Sequence, residues 1–273
     1  MRKVIVAFEV PNFSEGAMRF ISQMNDAERV TVTGLFLPKP VYAAFQTVDI
    51  MTPGMFLPYI EQINIAELNE CVKQFKQYCS DYHLRYDVLN NAVDFGLPEL
   101  KQQSRYADLI VLGGETFFNL PDSGKLSDYL RTSLHEAECP VVVAPERFLP
   151  PENNIITFDG TESSARAIRD FAYLFPEMTQ NPTTVVRFVS KNVSDEEIDT
   201  MIKELVSVHF PDHKFIHFGF DSNRYFSSWT AENKPAIVVC GAFGRSMLSV
   251  LFKHSFITEV LKEQKLPVFI SHK

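Results

Sequence analysis

The sequence predicts an α/β protein made of two tandem doubly wound domains, each a five-stranded parallel sheet with helices on both faces. Three observations predict it. Short runs of Val, Ile and Phe are apolar along their whole length, as strands buried on both faces must be. Longer segments of helical period separate them, and an internal repeat runs through this order twice. Val4-Ile5-Val6-Ala7-Phe8-Glu9 aligns with Asn154-Ile155-Ile156-Thr157-Phe158-Asp159, and the same offset of 150 pairs Ser14 with Ser164, Ala17 with Ala167 and Arg19 with Arg169.

In the first copy, apolar runs place strands near 3–8, 29–36, 84–89, 108–113 and 140–144, with helices near 13–24, 58–82, 96–105 and 126–137. In the second, strands fall near 154–158, 183–189, 214–218, 236–240 and 267–271. Helices there fall near 163–174, 195–208 and 255–264, with a short one around Phe226 to Thr230. The far ends of the copies match as well. Ala107-Asp108-Leu109-Ile110-Val111-Leu112-Gly113 pairs with Pro235-Ala236-Ile237-Val238-Val239-Cys240-Gly241 at an offset of 128, and Cys139-Pro140-Val141-Val142-Val143 pairs with Leu266-Pro267-Val268-Phe269-Ile270. The offset falls by 22, so the first copy is longer in its middle. The excess lies in 38–58, with four prolines, one glycine and no regular period, which predicts an ordered, partly buried loop or lid. The domains are therefore 1–146 and 153–273, joined by Arg147 to Asn153 with Pro150 and Pro151 inside.

Composition bounds the function. Of 273 residues, 45% are hydrophobic and 22% charged, which suits a globular chain with a sizeable core. The net charge of -8 is carried mostly before Pro150, with 13 basic against 19 acidic residues, so a nucleic-acid backbone would be repelled. No apolar run approaches the length needed to span a membrane, and Met1-Arg2-Lys3 leads straight into a strand; the expected address is the cytoplasm. Cys71, Cys79, Cys139 and Cys240 form no CxxC or zinc-type spacing and read as reduced, buried thiols. His209, His213 and His217 recur every four residues, but Pro211 interrupts any helix that would align them, and no metal site is expected. Trp229, beside Tyr225 and Phe226, reads as core. No nucleotide-loop, zinc-protease or serine-hydrolase motif occurs, so an enzyme is not expected.

In an open parallel sheet, ligands bind beyond the carboxyl ends of the strands where strand order reverses. After the fourth strand of the second copy comes Gly241-Ala242-Phe243-Gly244, then nine residues, then His254-Ser255 opening a helix. Glycines let backbone amides approach an anion, and a helix N-terminus adds further amides. With Asp159-Gly160-Thr161 after the first strand and a last strand entered through Leu266-Pro267, the chain resembles the universal stress protein family. That family's nucleotide-binding members carry G-x2-G-x9-G-[ST] after strand four and an acid at the end of strand one. The resemblance spans the whole chain, twice.

The resemblance implies the strand order 3-2-1-4-5 of adenine nucleotide alpha hydrolase-like domains, with ATP or AMP, accompanied by magnesium, as ligand of the second domain. Carried over, Asp159 with Gly160 and Thr161 meets the adenine or ribose end, Val189 lines the base pocket, and Gly241, Gly244 and Ser255 hold phosphates. His254 stands where the family has its third glycine, and Arg245 and Lys253 add positive charge nearby. The bland alternatives stand beside these roles: a tight turn for the glycines, a turn-forming acid for Asp159, a helix cap for Ser255. The first copy reads Gly113-x2-Thr116-x9-Leu126-Ser127, with Glu9 for the usual aspartate and Glu115 and Asp122 inside the loop, and is expected to bind no nucleotide. The implied function is a stress-response sensor or regulator. The rival reading is a nucleotide-independent interaction or scaffold protein with both sites decayed. Family members pair through their last strands, which implies an intramolecular pseudo-dimer over Val141 to Ala144 and Val268 to Ser271, with a homodimer of such chains as a further expectation.

Overall fold

The computed structural model describes residues 1–37, 40–41, 59–60, 64–89, 96–114, 137–189, 196–219, 229, 235–241, 260–261 and 263–271. The first half contributes β1 (Arg2–Glu9), α1 (Glu15–Ala27), β2 (Val30–Leu37), β3 (Pro40–Val41), β4 (Tyr59–Ile60), α2 (Ile65–Asp81), β5 (Arg85–Leu89), α3 (Gly96–Ser104), β6 (Leu109–Gly113) and β7 (Val141–Ala144). The second contributes β8 (Asn153–Phe158), α4 (Glu162–Leu174), a 3-10 turn at Met178–Gln180, β9 (Thr183–Val189), α5 (Glu196–His209), β10 (His213–Gly219), β11 (Ala236–Gly241) and β12 (Val268–Ser271).

Ten strands form one sheet in the order β10-β9-β8-β11-β12-β7-β6-β1-β2-β5. Counted within each half, that is 3-2-1-4-5 twice, with every neighbour inside a half parallel. The one antiparallel joint is between the last strands, where Val268, Phe269 and Ile270 face Val143, Val142 and Val141. The two five-stranded sheets thus run on as one continuous sheet, because each half's last strand offers the other an unpaired apolar edge.

Alternation along the strands sends successive residues to opposite faces. Val4, Val6 and Phe8 join one core layer with Phe20, Phe75, Phe171 and Phe269, while Ile5 and Ala7 join the other with Leu100, Val186 and Val238. Both layers cross from one half to the other. On the first, Phe20 of α1 meets Phe148 of the linker at 5.5 Å and Phe175 at 5.8 Å between ring centroids, and Phe175 meets Phe269 at 5.9 Å. Arg2 adds a polar tie, its guanidinium donating to the carbonyls of Tyr173 and Leu174 at the end of α4.

One element boundary and one loop length differ from expectation. α2 starts at Ile65 rather than near 58, capped by the Asn64 side chain, because Tyr59–Ile60 is paired with Pro40–Val41 in a two-stranded ribbon. Pro40–Val41 is also the described part of the expected 38–58 loop or lid; the remainder, the 126–137 helix up to 136, most of 255–264 and the 226–230 turn apart from Trp229 lie outside the described residues. The helices after the first strands are not equivalent at the offset of 150. Their N-caps are Ser14 and Thr161, which are 147 apart, so the strand-to-helix loop of the second half is three residues shorter.

Pro211 does separate α5, ending at His209, from β10, which holds His213 and His217. His213 instead meets the Phe210 carbonyl at 2.7 Å. Trp229 is half-buried against the second core layer, and all four cysteines are free and buried. Among the described residues no helix is long and apolar enough to cross a membrane.

Candidate functional site

β8 is the pivot of the second half, with β9 on one side and β11 on the other. The register pairs Phe158 with Arg187 and Ile156 with Val239, so the carboxyl ends of the three strands, at Asp159, Val189 and Gly241, come out side by side. This is the reversal point at which an open sheet leaves a crevice.

The turn after β8 is built from short-range hydrogen bonds. The Asp159 carboxylate accepts from the Thr161 amide at 3.0 Å and from the Thr161 hydroxyl at 2.7 Å. Gly160 between them has φ 87°, the left-handed region that a residue with a Cβ rarely adopts. Thr161 then caps α4, its hydroxyl accepting from the Ser164 amide at 3.3 Å and lying 3.0 Å from the Ser163 hydroxyl. The Ser164 hydroxyl returns to the Thr161 carbonyl at 2.8 Å. Asp159 and Thr161 are exposed, whereas Ser163 and Ser164 are buried under the end of β11. There Gly241 leaves no room for a side chain, since a Cβ would stand 2.4 Å from the Ser163 carbonyl carbon and 2.4 Å from the Ser164 nitrogen.

Asp159, Gly160, Thr161 and Gly241 therefore converge on the N-terminus of α4, and Val189 ends the neighbouring strand, its side chain outside the described residues. Gly244, Arg245, His254 and Ser255 lie outside the described residues. Beneath the turn, burial and then the Asp159 charge push the Cys240 thiol far up, and its sulfur rests 3.6 Å from the Phe269 carbonyl. It is held as a neutral packing group. Ser163 and Ser164 were not anticipated as part of this corner; the repeat marked Ser164 only as a match to Ser14, and nothing in its spacing signals that Gly241 closes on its backbone.

The equivalent corner of the first half is differently furnished. Glu9 is buried, and Ser14 caps α1 by accepting from the Ala17 amide at 3.2 Å. The Glu146 carboxylate, two residues past β7, lies across the helix start, accepting from the Ser14 hydroxyl at 2.9 Å and from the Glu15 amide at 2.8 Å. Gly16 allows this approach: a Cβ there would fall 2.0 Å from the Pro145 carbonyl oxygen. Glu146 carries no motif, and its role emerges only once the linker folds back. Gln264 of the second half also donates to the Gly114 carbonyl at 3.3 Å, at the point where the first half's loop begins.

No protein-family model matches the chain. No curated protein matches it either. Among solved structures, a universal stress protein from Archaeoglobus fulgidus is similar over 100% of this chain and 96% of its own, at 13% identity and a TM-score of 0.65. A functionally unknown protein from Pseudomonas aeruginosa is similar over 100% of this chain and 92% of its own, at 12% identity and a TM-score of 0.58. The chain thus has the fold of universal stress proteins from end to end.

Proposed function

We propose that this chain, carrying the universal stress fold through both halves, is a two-domain stress-response protein of the cytoplasm whose domain 153–273 takes up an adenine nucleotide, ATP or AMP, as a regulatory ligand. The observation that carries the reading is the convergence of Asp159 and Gly241 at the reversal point of the second half's strand order. An exposed carboxylate there suits a ribose hydroxyl or an adenine amino group, both donors, and the glycine-bearing segment after β11 suits phosphate. On this reading Gly244, Arg245, His254 and Ser255 supply the phosphate contacts, with His254 donating from its ring in place of an amide. Domain 1–146 binds no nucleotide; Glu146 already supplies a carboxylate to its helix start. The two domains act as an internal pseudo-dimer across β7 and β12, and no catalytic step is assigned.

The rival reading, a nucleotide-independent interaction protein, has its own support. The Asp159 carboxylate is already engaged by the Thr161 amide and hydroxyl, as a purely structural turn requires. Isothermal titration of the intact chain with ATP and with AMP, magnesium present, separates the two. Saturable heat that a Gly244→Asp variant loses, with its melting temperature unchanged, is expected for the nucleotide site. Absence of binding at millimolar nucleotide by folded protein leaves the interaction protein.

A further inference from the structure

The linker leaves β7 and passes the amino-terminal ends of β11 and β12, the opposite end of those strands from the Asp159 corner. It leaves a cavity of about 380 Å³ there, within the range of small-molecule sites. Its walls come from three places in the chain: Arg147 and Leu149 of the linker, Pro235 before β11, and Gln264, Lys265 and Leu266 before β12.

Those walls are fixed from behind. Arg147 stands between two anchored neighbours, Glu146 tied to Ser14 and Glu15, and Phe148, buried with its ring on Phe20. The Pro235 carbonyl accepts from the Glu152 amide at 3.1 Å and from the Asn153 side chain at 3.3 Å. Gln264 is held in the left-handed region, φ 49°, with its amide on Gly114. The positive charge is available. Among the described residues Arg147 has no hydrogen-bond or ion-pair partner, and Lys265 has only an exposed pair with Glu263 at 3.1 Å, which a ligand can displace at little cost.

The repeat shows that this corner is not forced by the fold. Aligning Cys139-Pro140 with Leu266-Pro267 sets Glu138 opposite Lys265. In the first half Glu138 is engaged by Arg105 at 2.9 Å, and its amide donates to Ser104 at 2.9 Å, so α3 closes the corner with a neutralised pair. In the second half the same corner carries Arg147, with no partner among the described residues, and Lys265, paired with Glu263 at 3.1 Å, beside apolar walls.

We propose that this cavity binds a small organic anion, its acid group held by Arg147 and Lys265 and its apolar body lying against Leu149, Pro235 and Leu266. A guanidinium offers a planar pair of donors that suits carboxylate or phosphate oxygens, and the apolar walls add affinity that an inorganic ion cannot collect. The site is separate from the nucleotide corner, so the two can fail independently.

The test follows amide resonances of the intact chain during titration with phenyl phosphate, inorganic phosphate and phenol. Saturable shifts at Arg147, Gln264 and Lys265 are expected with phenyl phosphate, with clearly weaker binding of inorganic phosphate and of phenol. Arg147→Gln and Lys265→Gln, both at exposed positions, are each expected to weaken phenyl phosphate about tenfold with an unchanged melting temperature. The proposal is overturned by the absence of saturation at millimolar ligand, by shifts confined to the Asp159 and Gly241 region, or by full affinity in both variants.

Discussion

Gly241 is required by packing whatever the second half binds. With the Ser163 and Ser164 backbone 2.4 Å from where a Cβ would stand, Gly241→Ala must push β11 away from α4. The expected cost is roughly 1–3 kcal/mol, read as a lower urea midpoint with an unchanged slope. The cysteines make a second prediction at this scale. Burial pushes the thiols of Cys71, Cys79 and Cys139 up from 9.0 to about 12. The folded protein thus holds these protons more tightly than the unfolded chain, so their contribution is fully present below about pH 9 and is lost as pH rises toward 12. Stability is expected to fall across that window, less steeply in a Cys71→Ala, Cys79→Ala variant, and a thiol reagent at pH 8 should label the chain only after denaturation. A uniform, fast reaction of native protein would contradict this.

At the scale of elements, each half starts its first helix with a hydroxyl cap, and the two caps are supported differently. Thr161 is held by Asp159 and faces Ser163, so Thr161→Ala removes both the α4 cap and the donor that orients the acid. A loss of about 1–2 kcal/mol is expected by urea denaturation. Ser14 is held by Glu146, which ties the linker to α1. Glu146→Ala should cost about 1–3 kcal/mol, for it leaves the Glu15 amide and the Ser14 hydroxyl without their acceptor, while Glu146→Gln should recover part of that. If Glu146→Ala proves neutral, the linker is held by Phe148 and Gly16 packing alone. The offset of 150 matched strand ends correctly and then misaligned these helices by three residues, since strand endings are marked by an acid while loop length leaves no mark in composition.

Over the whole molecule, two core layers and a ten-stranded sheet run through both halves, so they should unfold together. Phe175, fully buried between Phe20, Phe171 and Phe269, is the natural probe. Phe175→Ala should cost about 3–5 kcal/mol and lower a single transition seen alike by near- and far-ultraviolet dichroism. Separate transitions would show the halves to be independent. A fragment of 153–273 should self-associate on gel filtration, because removing β7 leaves the apolar edge Val268, Phe269, Ile270 unpaired. The intact chain has other edges: β5 at one end of the sheet presents the exposed Arg85, Tyr86 and Asp87, charges that discourage further strand addition.

Hydrophobic periodicity and the repeat were sufficient, by themselves, to predict a doubled α/β protein and the ten strands of its main sheet, and the family resemblance added the strand order that brings Asp159 and Gly241 to one corner. Those features are local: an apolar run, an acid at a strand end and a glycine after a strand are each written within a few residues. Tertiary structure alone decided the antiparallel register that sets Val268, Phe269 and Ile270 against Val143, Val142 and Val141, that Glu146 returns to the start of α1, and that Gly241 closes on Ser163 and Ser164. It also decided that Arg147 and Lys265 share a cavity. Each of these brings together residues distant in sequence, and their pairing depends on which edges and surfaces remain unburied after the local elements have formed.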